Sequence, residues 1–183
     1  MTREAFIKLC GILGVGLPFQ FSTLACEKTN VDPSAFNGKV VIIGAGAGGL
    51  SAGYLLAQQG IAFDILEASD NHGGRMKTNN EFADFPIPLG AEWLEANPDE
   101  LSELVNDADT QVDMETIRDR PDWKFVNSSW LGFFEKYILP SVKDQISYRT
   151  EVQSIDYSGD QIIIQSNQGQ YAADKVIVAV PLR

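Results

Sequence analysis

Three glycines and one acid in the first half of the chain have types and spacing that could act together. Gly44, Gly46 and Gly49 satisfy the pattern G-x-G-x-x-G, and Glu67 follows roughly twenty residues later. In such a loop the first glycine permits a tight turn, the second lets the backbone approach a diphosphate, and the third allows close contact between helix and strand. An acid at this distance can accept hydrogen bonds from ribose hydroxyls. The pattern therefore predicts a dinucleotide-binding site.

The elements around these glycines are the ones that such a site requires. Residues 39–43 form a β-branched run that is typical of a strand buried on both faces. A helix is predicted over residues 50–59, with Gly60 as its C-terminal cap, and a second strand over residues 61–66. Gly48 lies at the start of this helix, where free N–H groups and the helix dipole favour phosphate.

The rest of the pattern completes an α/β fold. Helices are predicted over residues 97–108 and 130–139, and strands over residues 146–148, 151–156, 161–165, 170–172 and 176–180. We expect the first, second, third and last of all the predicted strands to run parallel in one sheet. The fold class is therefore α/β, a Rossmann-like doubly wound parallel sheet with a small β-meander.

A second glycine motif follows the acid. Glu67-Ala68 and then Gly73-Gly74-Arg75 resemble the extended motif of the flavin amine oxidase and phytoene desaturase superfamily. The resemblance implies that FAD is the cofactor and that Gly73, Gly74 and Arg75 line its diphosphate, a role that suits the guanidinium group of Arg75. Ser69 and Asn71 stand where this family has arginines, and His72 replaces an apolar residue. An NAD-linked dehydrogenase and a catalytically inactive remnant that binds nucleotide or serves as an interaction domain are the alternatives.

Further segments carry the same resemblance. Gly90, Ala91 and Trp93 resemble the family's segment against the flavin ring, and Glu95 resembles an acidic position that contacts the substrate amine. A solvated carboxylate is the alternative for Glu95. The resemblance also implies that Val152 pairs its backbone with the adenine, against the alternative of an ordinary buried strand valine. No catalytic residue and no metal site is predicted.

The resemblance divides the chain and implies a reaction. Residues 39–95 correspond to the FAD-binding βαβ unit with the flavin-contacting loops, residues 96–145 to a shortened helical part of a substrate domain, and residues 146–183 to the meander and return strand. The implied reaction is oxidation of an amine by hydride transfer to flavin N5. Because the substrate domain is largely missing and the family's active-site lysine would follow Arg183, we expect no amine turnover by this chain alone. A partner polypeptide could complete the fold.

The N-terminal segment has a different character. Residues 1–25 resemble an export signal, of the twin-arginine or lipoprotein type, and residues 26–38 form a tether. Leu24-Ala25-Cys26 resembles the end of a lipobox, which implies lipidation of Cys26 and an exported protein, either periplasmic or anchored to a membrane. A buried or incidental cysteine is the alternative reading of Cys26.

The charge of the chain limits its partners. A net charge of −11 makes nucleic acid an unsuitable ligand, because phosphate binding needs a basic face. The acids concentrate in residues 81–122, a field that could attract a cationic amine. The alternative is a solvated surface that keeps the protein soluble.

Overall fold

The computed structural model describes residues 36–94, 98–105, 114–116, 123–125 and 128–181. The predictions for the export signal, for most of the tether with Cys26, and for Glu95 fall outside the described residues. None of the helices in the described ranges is both long and apolar enough to cross a membrane.

Most elements occur where the sequence predicts them. In chain order they are β1 (Lys39–Ile43), α1 (Ala47–Gln58), β2 (Ala62–Leu66), β3 (Thr78–Asn79), β4 (Ile87–Pro88), β5 (Trp93–Leu94), α2 (Pro98–Val105), β6 (Met114–Thr116), β7 (Trp123–Phe125), α3 (Trp130–Phe133), β8 (Ile146–Ser147), β9 (Val152–Asp156), β10 (Ile162–Ser166), β11 (Gly169–Ala173) and β12 (Lys175–Val178).

The predicted parallel sheet is confirmed. Its four strands lie in the order β12-β1-β2-β8, and all neighbouring strands run parallel. The strands β9, β10 and β11 form the predicted antiparallel meander. Two smaller antiparallel sheets, β3-β4 and β5-β7-β6, were not predicted.

Helix α1 lies against one face of the parallel sheet. Ile42 and Ile65 from the sheet are fully buried together with Leu50 from the helix. A Cβ on Gly53 would lie only 3.0 Å from the Cδ1 atom of Ile65, so the absence of a side chain lets helix and sheet approach. Gly60 ends the helix at φ 67° and donates its N–H to the Ala57 carbonyl, as the sequence predicts.

The meander covers part of the opposite face. Val41, Ile43 and Leu66 form a buried cluster with Ile164 and Ala173 of the meander. The centre of the sheet is therefore buried on both faces, which explains the continuous apolar run Val40–Ile43 of β1 and the apolar end of β2 at Ile65 and Leu66.

The predicted helix over residues 130–139 is not a regular α-helix. It consists of α3, a π-helical turn over Phe134–Ile138 and a 3-10 turn over Leu139–Ser141. Pro140 has no N–H to continue an α-helical ladder, which accounts for the tighter last turn. The buried aromatic face itself is as expected: Phe133, Phe134 and Ile138 pack in the main core.

Candidate dinucleotide-binding site

The first glycine loop turns sharply between β1 and α1. Gly44 has φ 101° and donates its N–H to the Leu66 carbonyl at 2.8 Å, which ties the turn to β2. A Cβ on Gly49 would lie 1.8 Å from the Gly44 carbonyl oxygen, so this glycine permits the contact between helix and turn that the motif predicts. Gly46 caps α1, and exposed Gly48 lies in the first helical turn.

The second glycine loop packs directly on the first. Gly73 donates its N–H to the Ala45 carbonyl at 2.9 Å and bridges to Gly46 in parallel orientation. Gly73 and Gly74 have φ values of 101° and 58°, and a Cβ on Gly74 would lie 3.2 Å from the Gly46 Cα atom. Both loops thus present backbone at the N-terminus of α1, where helix geometry favours an anion.

Glu67 lies at the end of β2 and is held toward the first loop. Its Oε2 atom accepts the Ala45 N–H at 2.7 Å, and Oε1 accepts the Ser69 N–H at 2.9 Å. Burial by itself raises the pKa of Glu67, but hydrogen bonds from Ala45, Ser69 and Ala68 outweigh it and hold the pKa below the ordinary value. The group is therefore an ionised acceptor at neutral pH.

The segment after the second loop continues to the predicted flavin-contacting residues. The carbonyl of Arg75 accepts the N–H of Ala91 at 3.3 Å, and a Cβ on Gly90 would lie 2.0 Å from the Arg75 carbonyl oxygen. The absence of a side chain at Gly90 is therefore required by contact with Arg75. The side chain of Arg75 is exposed at the mouth of the two loops.

A polar cluster that the sequence did not indicate surrounds Trp93. Lys124 of β7 forms an ion pair with Glu92 and lies 5.7 Å from the centre of the Trp93 ring. The indole N–H of Trp130 donates to the Trp93 carbonyl at 3.0 Å. These contacts fix the segment that follows Gly90. Lys124 and Trp130 are both distant from Trp93 in the sequence, and neither belongs to a motif. No sequence pattern could therefore have indicated their contacts with Trp93.

The remaining predicted site residues lie around the end of β2. Ala68 is exposed beside Glu67, and Val152 is half-buried at the start of β9. Thr150, two residues before Val152, donates its N–H to the Glu67 carbonyl at 2.8 Å. The structure therefore connects Val152 to the glycine loops through the backbone. Their contacts with a cofactor stay predictions.

A pair of polar side chains near the second loop was also missed. His72 Nδ1 lies 2.9 Å from the hydroxyl of Tyr148, and His72 Nε2 lies 3.4 Å from Oε1 of Glu135. The sequence indicated His72 only as a polar loop residue. Tyr148 follows β8, and nothing in the spacing of these residues predicts that they meet.

The backbone and side chains of this site fit an adenine dinucleotide. A Cβ on Gly46 would meet only the Gly74 Cα atom, at 4.0 Å, so space is open in front of the α1 N-terminus. The N–H groups of the first turn of α1 have no partner within the helix, and the Ala45 N–H holds the Glu67 carboxylate at the same loop. Within the described residues there is no group of three or more His, Cys, Asp or Glu side chains that could hold a metal.

Two stretches of the chain match known families. Residues 42–108 match the family described as NAD(P)-binding Rossmann-like domain, and residues 134–183 match the family described as flavin containing amine oxidoreductase. The second stretch contributes β8 and β12 to the sheet that the first begins. The chain is therefore similar to the N-terminal part of flavin amine oxidases. The flavin-containing family confirms FAD as the cofactor that the second glycine motif predicted.

Individual flavin oxidases align with part of the chain. An L-amino-acid oxidase of Bothrops moojeni is 33% identical over 106 residues, which cover 57% of this chain and 21% of that protein. Polyamine oxidase 7 of Oryza sativa subsp. japonica is 48% identical over 58 residues, which cover 31% of this chain and 12% of that protein. The chain thus spans about a fifth or less of the length of these relatives.

A solved structure shares the fold. The CLA-producing fatty acid isomerase from P. acnes matches with a TM-score of 0.63 at 14% identity, over 79% of this chain and 59% of that chain. This match confirms the Rossmann-like α/β fold and says nothing of the reaction.

Proposed function

We propose that this chain is part of a flavin amine oxidase and holds FAD for the oxidation of an amine. The observation that carries the proposal is the packing of Gly73 and Gly74 on Gly46, with the Glu67 carboxylate beside them. This arrangement offers backbone donors to a diphosphate and an ionised acceptor to a ribose. The relatives that are named as amino-acid and polyamine oxidases support the amine as substrate class.

Each part of the proposed site has one task. The N-terminus of α1 with Gly46 and Gly48 receives the diphosphate, and Arg75 neutralises its charge. Glu67 accepts from the ribose, and Val152 meets the adenine. Small residues at positions 90 and 91 let the backbone approach the flavin ring beside Trp93. When bound, FAD supplies the acceptor for a hydride from the carbon next to the amine nitrogen.

The substrate side of the site has charges of both signs. Glu92 is neutralised by Lys124, so it offers no free charge to a substrate ammonium. We propose Glu95 as the contact for the amine, since a carboxylate binds an ammonium group well.

We also propose that a further polypeptide segment covers the flavin-facing surface. Among the described strands, β12 pairs with β1 alone. Val178 at its end is 60% exposed, and Val180 after it is 49% exposed. Trp93 is 47% exposed. An apolar sheet edge favours pairing with another strand, and hydride transfer favours a dry pocket. A partner polypeptide would supply both a strand that pairs with β12 and a cover that keeps water from the flavin.

Export and anchoring belong to the same proposal. The apolar run before Cys26 supports a periplasmic or membrane-anchored protein that is tethered through a lipid on this cysteine. With a lipid on Cys26, residues 26–38 would form a short tether between the membrane and the domain that begins at Lys39.

The amine part of the proposal is tested with the FAD-loaded protein under anaerobic conditions. We expect a saturable shift of the flavin absorbance, without bleaching, on addition of amines such as benzylamine, an L-amino acid or spermidine, and no shift with benzyl alcohol. Glu95→Gln should weaken this response to the amine. The control is NADH, which should neither shift nor bleach the flavin.

Two results would contradict the amine assignment. Rapid bleaching by NADH would indicate a nicotinamide-dependent oxidoreductase. An identical response to the amine and to the matched alcohol would indicate a flavin site without amine recognition. Reduction by dithionite confirms in each run that the bound flavin is competent to accept electrons.

A further inference from the structure

The Glu67 carboxylate has little capacity left for a ribose. An ionised carboxylate offers about four acceptor positions. Ala45 N–H occupies one on Oε2, while the N–H and the hydroxyl of Ser69 occupy two on Oε1 at 2.9 and 2.7 Å. The Ser69 hydroxyl is also 2.7 Å from the Asn71 carbonyl, but its single proton favours the charged acceptor. The Ala68 N–H adds a further contribution, the smallest of these hydrogen bonds. At most one position therefore remains for a ligand.

A ribose presents two hydroxyl groups, so a second acceptor is needed. Tyr148 lies beside Glu67 in the sheet and is a candidate for this second acceptor. Leu66 pairs with Ser147 in parallel register, and Glu67 donates its N–H to the Ser147 carbonyl at 2.9 Å. Continuing this register by one residue puts Tyr148 beside Glu67. Burial, with the negative charge of Glu67, raises the pKa of the Tyr148 hydroxyl, which is consistent with this proximity.

The contacts of His72 decide which way the Tyr148 proton points. The Nε2 atom of His72 is buried and faces Oε1 of Glu135 at 3.4 Å, just outside hydrogen-bonding geometry. A bare nitrogen lone pair facing a carboxylate would be repulsive, so this contact favours the tautomer that has its proton on Nε2. Nδ1 then accepts, and the Tyr148 hydroxyl donates to it at 2.9 Å. The lone pairs of the Tyr148 oxygen stay free for another donor.

We propose that Tyr148 is a cofactor-binding residue whose hydroxyl oxygen accepts one of the two ribose hydroxyls of FAD, while Glu67 accepts the other. This inference rests on the proposed function of binding FAD. It assigns a residue that contacts the adenosine part of this cofactor. His72 acts as a positioning residue, because it holds the Tyr148 proton away from the ribose. Glu135 orients His72 in turn.

The test compares three nucleotides by isothermal titration calorimetry: ADP, 2′-deoxy-ADP and 3′-deoxy-ADP. Tyr148→Phe removes only the hydroxyl and should weaken ADP roughly five- to tenfold, the scale of one hydrogen bond. Tyr148→Phe should weaken the binding of one deoxy analogue by the same factor. The binding of the other analogue should not change, because that analogue already lacks the hydroxyl that bonds to Tyr148. A general distortion of the site would instead weaken all three alike.

Two further variants separate positioning from folding. His72→Leu should weaken ADP by a smaller factor, and the double variant with Tyr148→Phe should bind no worse than Tyr148→Phe alone. Tyr157→Phe, at an 80% exposed position on the meander, is the matched control and should change nothing. Thermal unfolding of each variant verifies the fold.

The outcomes distinguish this inference from the proposed function. Equal weakening of all three nucleotides by Tyr148→Phe, or no weakening, would overturn the role of Tyr148 while FAD binding stands. A wild-type protein that binds neither FAD nor ADP would overturn both.

Discussion

Replacing Gly46 by alanine should weaken FAD binding strongly without harming the fold. Gly46 has φ −78° and ψ −174°, which alanine adopts freely, and the new Cβ would meet only the Gly74 Cα atom at 4.0 Å. We therefore expect the free energy of unfolding to change by less than about 1 kcal/mol. The methyl group would occupy the space where the diphosphate approaches. Losing one charge-assisted hydrogen bond of about 2 kcal/mol would weaken FAD roughly thirtyfold.

Replacing Gly49 by alanine should destabilise the fold, in contrast to the replacement of Gly46. Its Cβ would lie 1.8 Å from the Gly44 carbonyl oxygen and 3.3 Å from the Cγ2 atom of Ile42. Ordinary contact begins at 3.4 Å, so the helix and the turn would have to separate by about 1.6 Å. Overpacking of this kind costs about 3 kcal/mol or more when backbone atoms are involved. Gly49→Ala should therefore destabilise the protein itself.

Both variants are compared by urea unfolding and by quenching of flavin fluorescence. Gly159→Ala is the control, because its Cβ would meet only the Gln161 carbonyl oxygen at 3.8 Å, in a turn of the meander. Normal FAD affinity in a folded Gly46→Ala protein would refute the location of the diphosphate. Normal stability of Gly49→Ala would refute the packing argument.

Other consequences concern charge and processing. Because the folded pKa of Glu67 lies below its ordinary value of 4.5, its stabilising contribution is present above that pH and is lost as the pH falls through the folded value. FAD affinity and melting temperature should thus be level at neutral pH and decline below about pH 4.5, with a flatter decline in Glu67→Gln. Arg75→Ala should weaken FAD roughly tenfold, with less salt dependence and an unchanged melting temperature, because the side chain is exposed; equal affinity in a titration would contradict its role. Intact mass of the native protein should show a lipid on Cys26 and loss of residues 1–25, whereas a mass that includes Met1 would rule this out.

The sequence predicted the site's framework because that framework depends on local rules. The apolar runs of β1 and β2, the glycines at 44, 46 and 49, and the cap at Gly60 each have a local physical reason. The parallel order of the sheet then follows from chirality and short connections. These are the parts in which prediction and structure agree.

The contacts that the sequence missed depend on side chains that meet only in the folded protein. His72 and Tyr148 are separated by 76 residues, and Lys124 and Glu92 by 32. Neither pair has a spacing that a motif could reveal. The two-residue strands β3 and β4 are likewise too short for a periodic pattern, because tertiary contacts rather than propensity form them.

The central claim is that the two glycine loops bind FAD, and direct titration tests it. Purified protein is titrated with FAD and, separately, with NADH, and the FAD-loaded sample is passed through a desalting column. We expect FAD to bind at least roughly tenfold more tightly than NADH and to leave an absorbance band near about 450 nm on the protein. NADH binding as tight as FAD, or complete loss of the flavin band together with unsaturable FAD titration, would contradict the account.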